Sequence, residues 1–488
     1  MIMKKILYAG LIGLGALLCT SCDNLLNIKP VNSMIPVSVE DYEAVLMGGY
    51  PKTEFFMKTE LMTDNVYANL FCTYDAPKAQ EPWFIWASTH QQPDEENDGY
   101  WGQLYKSIYY ANTVLDEFAI RTPAESEREL FETVKGEAYA LRAYSYFYLI
   151  NLYADVYSAQ NLSKPGVPMP LTAVDVHKNT HDNVRETIGN VWAQIVKDLE
   201  EATKYLAGKT PKNKFRFDNT SLELFKARVY LFMENWDAAI ESASKVIGIK
   251  SLYDMNGLQA RIDEEGKQRL FGLTYGLLDA GYEKEVLFFT GGKGNGNIFY
   301  YSTQVFKPTE DLLTLCSLND RIDYRRYIYE SFSDLSTNEG KEAGPTTYHM
   351  YGYQGGKYYY IGLKLSEAYL IRAESYIRRN KGTNDLENGL KDLNDLMVKR
   401  VRNYVNLTVA DFANPQAMLD RVLYERRIEM AFEGGLRWFD LRRLGKPALS
   451  HVYQNGIDYE LKQGDLKYVL QIPVSEQKNS PNMPLNPR

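Results

Sequence analysis

Three glutamates near the C-terminus are spaced as a carboxylate pair for glycoside hydrolysis would be. Glu425, Glu429 and Glu433 recur every four residues, which places them on one face of a helix. Two carboxyl groups flanking a glycosidic bond could act as acid and as base or nucleophile. However, six arginines surround them in sequence: Arg421, Arg426, Arg427, Arg437, Arg442 and Arg443. Carboxylates with cationic partners have low pKa values and make poor general acids, so we interpret the run as a structural ion-pair network.

Other spacings that could bind a metal or a phosphate each lack a required residue. His177 and His181 are four residues apart, but their segment has no apolar helical face and no HExxH sequence. The run 94–99 resembles the front half of a calcium loop, yet its twelfth position is Tyr105 rather than Glu. A looser calcium site stays open there, although a solvated acidic loop is the simpler interpretation. The glycines of 291–296 lack the Lys-Ser/Thr step of a phosphate loop. We therefore expect no catalytic residue, no metal and no cofactor.

The bulk composition is that of a globular protein that does not bind nucleic acid. The chain has 488 residues, of which 45% are apolar and 24% charged, and its formal net charge is −8. An acidic chain without a basic stripe offers no attractive field for nucleic acid. The 38 tyrosines are suited to wet binding surfaces and also to helix packing. Cys72 and Cys316 form no CxxC, and two buried thiols are favoured over a disulfide.

The N-terminus has the pattern of a bacterial lipoprotein signal. Lys4 and Lys5 precede an apolar run from residue 6 to residue 18, which is too short to span a bilayer. Thr20 and Ser21 then precede Cys22, which would receive the lipid and become the first mature residue. The alternative is an ordinary secretory signal with an incidental cysteine. Two or more acyl chains would make the anchoring stable. The predicted segments are a signal peptide (1–21), a lipidated tether (22–38) and a helical domain (39–488) with halves of about 39–250 and 251–488.

Three long segments have helical patterns: Glu125 to Tyr153, Leu222 to Ile247 and Lys364 to Val398. We interpret each as helix, turn, helix, with small residues where the helices meet. In the second segment Trp236 is followed by alanines three and seven positions later, as in a tetratricopeptide unit. A strict 34-residue period is absent, and long insertions separate the units. The predicted fold is therefore mostly α, a tetratricopeptide-like helical-repeat scaffold with large irregular loop insertions and little β structure.

Several ordered motifs resemble those of the SusD/RagB family of outer-membrane nutrient-binding lipoproteins, and they cover most of the chain. The sharpest is Glu425-Arg426-Arg427-Ile428-Glu429-Met430-Ala431-Phe432-Glu433-Gly434, continuing through Arg437-Trp438-Phe439-Asp440-Leu441-Arg442-Arg443. Weaker matches lie at 22–30, 60–67, 100–108, 136–156, 285–288, 308–312, 320–321, 471–476 and 482–487. In this order, behind a lipid signal, the motifs together are specific.

The resemblance implies a cell-surface binding protein rather than an enzyme. It implies about four tetratricopeptide-like helix pairs and a lid-like position on a TonB-dependent transporter of the SusC type. It also implies attachment to the outer membrane through the lipid, with the domain facing the cell exterior. Most cargo in the family is glycan, so a glycan ligand is expected, and a peptide ligand of the RagB type is the alternative.

Ligand-binding residues are expected on the insertions, because loops carry most binding functions. Aromatic rings can cover the C–H faces of sugars, and amides or carboxylates can bind the hydroxyls. The run 83–86 supplies two tryptophans, either of which could equally be a core residue. The insertions rich in Gly, Tyr and Asn could equally be ordinary strands and turns. The candidates are Trp83, Trp86, Asp64, Asn65, Asn69, Asn295, Asn297, Tyr300 and Tyr301.

Overall fold

The computed structural model describes most of the chain. The described residues are 36–51, 57–70, 80–90, 99–173, 184–209, 212–257, 284–290, 305–318, 321–326, 352–354 and 357–488. Cys22, with the predicted signal peptide and most of the tether, lies outside them. The candidates Asn295, Asn297, Tyr300 and Tyr301 also lie outside, as do the histidine pair and the acidic run 94–98.

Helices form most of the described structure, which confirms the predicted fold class. They are α1 (Val39–Gly49), α2 (Met57–Glu60), α3 (Glu81–Phe84), α4 (Tyr100–Ile120), α5 (Arg128–Tyr153), α6 (Ile188–Leu206), α7 (Asn219–Phe232), α8 (Trp236–Ser244), α9 (Glu310–Leu315), α10 (Leu365–Arg379), α11 (Thr383–Met397), α12 (Pro415–Glu429), α13 (Leu436–Arg443) and α14 (Val474–Asn479). Short 3₁₀ turns lie at Glu125–Glu127, Met255–Gly257, Val409–Asp411 and Leu466–Tyr468.

Two of the three predicted helix–turn–helix segments are confirmed. Helices α7 and α8 pack on each other, and the side chain of Asn235 caps α8 by accepting from the amide of Ala238 at 3.2 Å. Helices α10 and α11 pack in the same way, and Asn380 ends α10 in the left-handed conformation, with φ of 46°. The segment from Glu125 to Tyr153 differs, because after one 3₁₀ turn it is a single helix, α5, lying against α4 and α6. No proline and no pair of glycines interrupts helix α5.

Small residues stand where helices approach most closely, as the sequence predicted. A Cβ atom on Gly136 of α5 would lie 2.8 Å from the Cγ of Leu206 in α6. A Cβ on Gly389 of α11 would lie 2.8 Å from the Cγ1 of Ile377 in α10. Larger side chains at these two positions would force the backbones apart.

In the part of the chain that the structure describes, short strands form three small antiparallel sheets beside the helices. The strands are β1 (Val66–Ala68), β2 (Val286–Thr290), β3 (Phe306–Pro308), β4 (Gly352–Gln354), β5 (Lys357–Lys364), β6 (Leu449–Tyr453) and β7 (Ile457–Leu461). Strand β1 pairs with β3 with Tyr67 opposite Lys307, β5 lies between β2 and β4, and β6 forms a hairpin with β7. Strand β6 also lies beside β1. Two strands distant in sequence thus meet at one edge of the helical scaffold.

Candidate functional site

A groove with a volume of about 680 Å³ lies between β1 and β6. We call it the β1–β6 groove. It is lined by Asp64 and residues 66–70 on one side, by residues 448–452 on the other, and by Thr309 and Asp311 at the start of α9. Tyr67, Leu70 and Val452 are exposed there by 43%, 48% and 42%. Exposed apolar side chains around a concave surface are typical of a ligand site.

Tyr67 is the exposed aromatic residue of the groove. Its neighbours in β1, Val66 and Ala68, are buried, so the alternation of the strand directs the Tyr67 ring outward. Partial burial raises the pKa of Tyr67, and the nearby carboxylate of Glu310 raises it further. The phenol therefore stays neutral and can donate a hydrogen bond at physiological pH.

Two arginines from the C-terminal motif hold the turn that precedes β1. Arg437 donates two hydrogen bonds to the carboxylate of Asp64, at 2.8 and 2.6 Å. Arg427 donates to Oδ1 of Asn65 at 2.9 Å and to the backbone oxygen of Asp64 at 2.8 Å. Burial alone would raise the pKa of Asp64, but the two guanidinium groups outweigh burial and lower it. Asp64 and Asn65 are thus fixed as supports for the groove wall.

Replacing Arg437 with methionine is expected to lower the free energy of unfolding by about 2 kcal/mol, because charge-assisted hydrogen bonds to a mostly buried carboxylate are lost. Thermal or denaturant unfolding measures the change, and a double-mutant cycle with Asp64→Asn isolates the coupling between the two residues.

The matched control is Arg128→Met. The side chain of Arg128 is 55% exposed and pairs with Glu125, whose side chain is 84% exposed. Exposed pairs contribute little, so the control is expected to be nearly neutral. Equal effects of the two arginine substitutions would contradict the support assigned to Arg437.

Neither candidate tryptophan can present a face to ligand in this structure. Trp83 is fully buried, with its ring centroid 5.2 Å from that of Tyr100 and 4.5 Å from that of His90. Trp86 is 1% exposed, and its Nε1 donates to the backbone oxygen of Met62 at 2.9 Å. The core alternative left open by the sequence therefore applies to both, and we withdraw both from the candidate ligand contacts.

Trp86 instead supports the floor of the groove through His451. The imidazole of His451 stacks between Trp86 and Phe84, with centroid distances of 4.1 and 4.2 Å. Its ring nitrogens lie 2.7 Å from the backbone oxygen of Phe84 and 2.9 Å from that of Thr63. Burial lowers the pKa of His451 although both carbonyl groups favour the protonated ring. This stack connects β6 to α3 and to the turn before β1.

The structure brings two of the predicted site residues to the groove surface, namely Asp64 and Asn69. Asn65 is buried and supports the wall by accepting from Arg427. Sequence reasoning missed Tyr67, Leu70, Asp311, Ser450, His451 and Val452. The signals present were the alternation of buried and exposed residues around Tyr67 and the Asn455-Gly456 turn of the β6–β7 hairpin, where both residues have positive φ.

The three glutamates that suggested hydrolysis are buried in an ion-pair network. Glu429 binds Arg400 at 3.0 Å, Arg325 at 3.3 Å and Lys364 at 3.5 Å. Burial opposes ionisation of Glu429, but its cations outweigh burial and lower its pKa. Glu425 is held in the same way by Arg321 at 2.6 Å, by Arg421 and by Arg325. The interpretation of these glutamates as a structural ion-pair network therefore fits, although most of the cations that pair with them come from outside the C-terminal motif.

Glu433 departs from the expected low pKa. It is 2% exposed and pairs with Lys364 at 2.8 Å. Burial raises its pKa to about 7, and Lys364 offsets burial only in part. Because the carboxyl group is enclosed by the protein, a ligand in the groove cannot reach it.

Within the described ranges, no three His, Cys, Asp or Glu side chains are grouped so that they could hold a metal ion. Among the same residues, no helix has the length and apolar content needed to cross a bilayer. Cys316 is a buried free thiol whose pKa is raised by burial. A buried free thiol at Cys316 fits the favoured alternative for this cysteine, and Cys72 lies outside the described residues.

Two family profiles match successive parts of the chain. Residues 29–231 match the profile described as "Starch-binding associating with outer membrane", and residues 298–487 match the profile of the "SusD family". Together they span most of the sequence and both parts that build the groove.

Curated relatives and solved structures agree with these profiles. The chain is 24% identical to SusD-like protein P2 of Formosa agariphila over 80% of each sequence. It is 22% identical to SusD-like protein P38 of the same organism over 89% of this chain and 90% of that protein. Its fold superposes on a SusD superfamily protein from Bacteroides thetaiotaomicron with a TM-score of 0.72 and 20% identity, covering 93% of this chain and all of the other. A SusD-like carbohydrate binding protein from Bacteroides vulgatus gives a TM-score of 0.68 and 17% identity, covering 91% and 97% of the two chains.

Proposed function

The chain belongs to the SusD/RagB family, and from this premise we propose that it is a cell-surface lipoprotein that captures glycan and delivers it to a SusC-like, TonB-dependent outer-membrane transporter. The β1–β6 groove is the proposed glycan site. The alternative cargo within the same family is peptide.

The observation that supports a glycan site is the exposed Tyr67 ring on one wall of a groove with a polar rim. A sugar ring has apolar C–H faces that pack on an aromatic plane, and hydroxyl groups around its edge that need hydrogen-bond partners. Asn69, Asp311 and Ser450 supply amide, carboxylate and hydroxyl groups beside the ring. The volume of the groove is within the range of small-molecule sites.

We propose binding without catalysis. Of the two carboxylates that line the groove, Asp64 is held ionised by arginines and is unsuited to donate a proton. Asp311 then has no second free carboxylate opposite it among the lining residues, and glycoside hydrolysis requires a pair. Incubation of the protein with a bound glycan, followed by analysis for shorter products, tests this proposal.

We propose three further properties on the basis of family membership. They are a lipid anchor at Cys22, a position at the outer membrane facing the cell exterior, and a partnership with the transporter. The family profile that matches residues 29–231 is described as associating with the outer membrane, which supports this location. Mass spectrometry of the N-terminal peptide of the mature protein tests the lipid. Co-purification from detergent-solubilised outer membranes tests the partnership.

Replacing Tyr67 with alanine is expected to weaken glycan binding about five- to thirtyfold, because aromatic packing contributes of order 1–2 kcal/mol. Isothermal titration against a glycan panel and a peptide mixture provides the measurement. Tyr67→Phe keeps the ring and is expected to retain most of the affinity.

Because Tyr67 is 43% exposed, its removal is expected to leave the melting temperature nearly unchanged, so a binding loss would not reflect unfolding. Unchanged glycan affinity in Tyr67→Ala would remove the groove from the proposal. Binding of peptides and no glycan would favour the peptide-binding alternative.

A further inference from the structure

Among the described residues that line the β1–β6 groove, every Asp, Glu, Lys or Arg is acidic. Its thirteen lining residues include Asp64 and Asp311 but no lysine or arginine. Asp311 is exposed in the first turn of α9, directly after the exposed Glu310. No ion pair with another described residue neutralises Asp311. The charge of Arg427 acts on Asp311 from a distance, but the donors of Arg427 are directed to Asn65 and Asp64. A ligand in the groove therefore meets, at its rim, a carboxylate that makes no direct ion pair with another described residue.

The two arginines that hold the groove wall have their bound donors directed into the protein. The Nε and Nη2 groups of Arg437 bind Asp64, and the same groups of Arg427 bind Asn65 and the backbone of Asp64. Each arginine side chain is only 14% exposed. Both nitrogens of His451 face backbone oxygens of the groove floor. These groups are poorly placed to bind a sulfate or a carboxylate of a ligand.

The residues around Tyr67 carry charges of both signs. Lys307 stands opposite Tyr67 in the β1–β3 ladder and projects on the same face of the sheet, although it is not among the described residues that line the groove. After burial, the group that raises the pKa of Tyr67 is the carboxylate of Glu310, so the phenol is in a negative local field. A ligand stacked on Tyr67 would lie within that field.

From this arrangement we infer that the β1–β6 groove selects uncharged glycans and discriminates against sulfated or uronate-bearing ones. This inference rests on the proposed glycan-binding function and specifies its substrate class. A like charge about 4 Å from Asp311 in water would weaken binding about fivefold, and more where the groove excludes solvent.

The test compares each glycan with a charged counterpart. A panel of amylopectin, laminarin, xyloglucan and galactomannan is titrated beside alginate, polygalacturonate, carrageenan and dextran sulfate. The neutral glycan that binds most tightly is then chemically sulfated and titrated again. Its sulfated form is expected to bind at least about fivefold more weakly at 50 mM NaCl. The difference should narrow at 500 mM NaCl, because salt screens exposed charges.

Variants of Asp311 connect the discrimination to this rim. Asp311→Asn is expected to reduce the difference in affinity between the neutral glycan and its sulfated form. Asp311→Lys is expected to make the sulfated form bind more tightly than the neutral one. The control is Glu387→Gln, which makes the same charge change at an exposed position on α11 and should leave the affinity difference unchanged.

Each possible result of these titrations either supports or contradicts the inference about ligand charge. If the sulfated form binds as tightly as its parent, or if an anionic polysaccharide is the preferred ligand, the charge inference is wrong while the glycan-binding proposal stands. If no polysaccharide of either kind binds, the proposed function fails and the inference fails with it. If Asp311→Lys leaves the affinity difference between the neutral and sulfated glycans unchanged, the rim at Asp311 does not cause the discrimination between them.

Discussion

Replacing Glu429 with glutamine is expected to lower the free energy of unfolding by about 3–5 kcal/mol, the usual cost of removing one member of a buried ion-pair network. The carboxylate of Glu429 lies within 3.5 Å of Arg400, Arg325 and Lys364, and all four side chains are at most 1% exposed. Glutamine fits the same space but removes the one negative charge that these three cations share. Each cation keeps another carboxylate partner, namely Glu285 for Arg400, Asp323 for Arg325 and Glu433 for Lys364. Denaturant unfolding at pH 7 measures the loss.

The pH dependence of this deficit follows from the lowered pKa of Glu429. A carboxylate whose pKa is lower in the folded state contributes stability that is fully present above its unfolded value of 4.5. The contribution is lost only as pH falls through the folded value. The contribution of the Glu429 carboxylate itself is therefore expected to stay constant between pH 6 and 8. Because Glu429 also raises the pKa of Glu433, which is about 7, the deficit of Glu429→Gln should shrink slightly as pH rises through this window. Glu387→Gln, at an exposed position, is the control and should be nearly neutral.

A deficit below about 1 kcal/mol would mean that the network contributes specificity rather than stability, which is known for some buried ion pairs.

The network joins parts of the chain that are distant in sequence. Lys364 ends β5, Arg325 follows α9, Arg400 follows α11, and Glu429 ends α12. The same motif continues to Arg427 and Arg437, which hold the wall of the β1–β6 groove. The glutamates that suggest hydrolysis in the sequence are thus part of the frame that positions the binding surface.

The sequence was informative where the physics is local. The spacing of alanines and the Asn235-Trp236 turn predicted α7 and α8, because capping and close helix approach depend on residues within one or two turns. The break between α10 and α11 was visible for the same reason. In the segment 125–153 the same reasoning placed a turn where none exists. Small residues in this segment lie at the contact of α5 with α6. A turn would also need a residue that ends the helix.

The binding surface depends on long-range contacts that no local pattern encodes. Strand β1 has three residues and pairs with β3, some 240 positions later, so its alternation is too short to be recognised in advance. Trp83 and Trp86 have the composition of a sugar platform, but burial is decided by what packs on them. His451, 365 residues from Trp86, covers its ring. Residue type alone therefore favoured the tryptophans, whereas tertiary contacts expose Tyr67.

Glu60 is the buried carboxyl group of the described chain that is most poorly compensated. It ends α2, is fully buried, and neither of its carboxyl oxygens has a partner in good hydrogen-bond geometry. Arg437 favours ionisation of Glu60, as do the nearby amide of Asn65 and the backbone of Phe432, whereas Asp64 opposes it. Because Asp64 already binds Arg437, burial dominates and raises the pKa of Glu60 to about 8. The folded protein therefore holds Glu60 as a neutral acid at pH 7.

Replacing Glu60 with glutamine is expected to stabilise the protein increasingly as the pH rises. Between the unfolded pKa of 4.5 and the folded pKa of about 8, the unfolded chain releases the proton of Glu60 and the folded chain keeps it. The wild type thus loses about 1.4 kcal/mol per pH unit in this window, and a glutamine, which does not titrate, loses nothing. The advantage of Glu60→Gln should grow by about 3 kcal/mol from pH 5 to pH 8.

Unfolding of both proteins, measured across this pH range, gives the difference directly. Contributions of His90, His451 and Glu433 are common to both chains and cancel. Glu387→Gln, the same substitution at an exposed position, serves as the reference. A flat difference for Glu60→Gln would show that Glu60 is ionised in the folded protein. Arg437 would then have to be shared between Glu60 and Asp64, and the wall of the groove would be held less firmly than these contacts indicate.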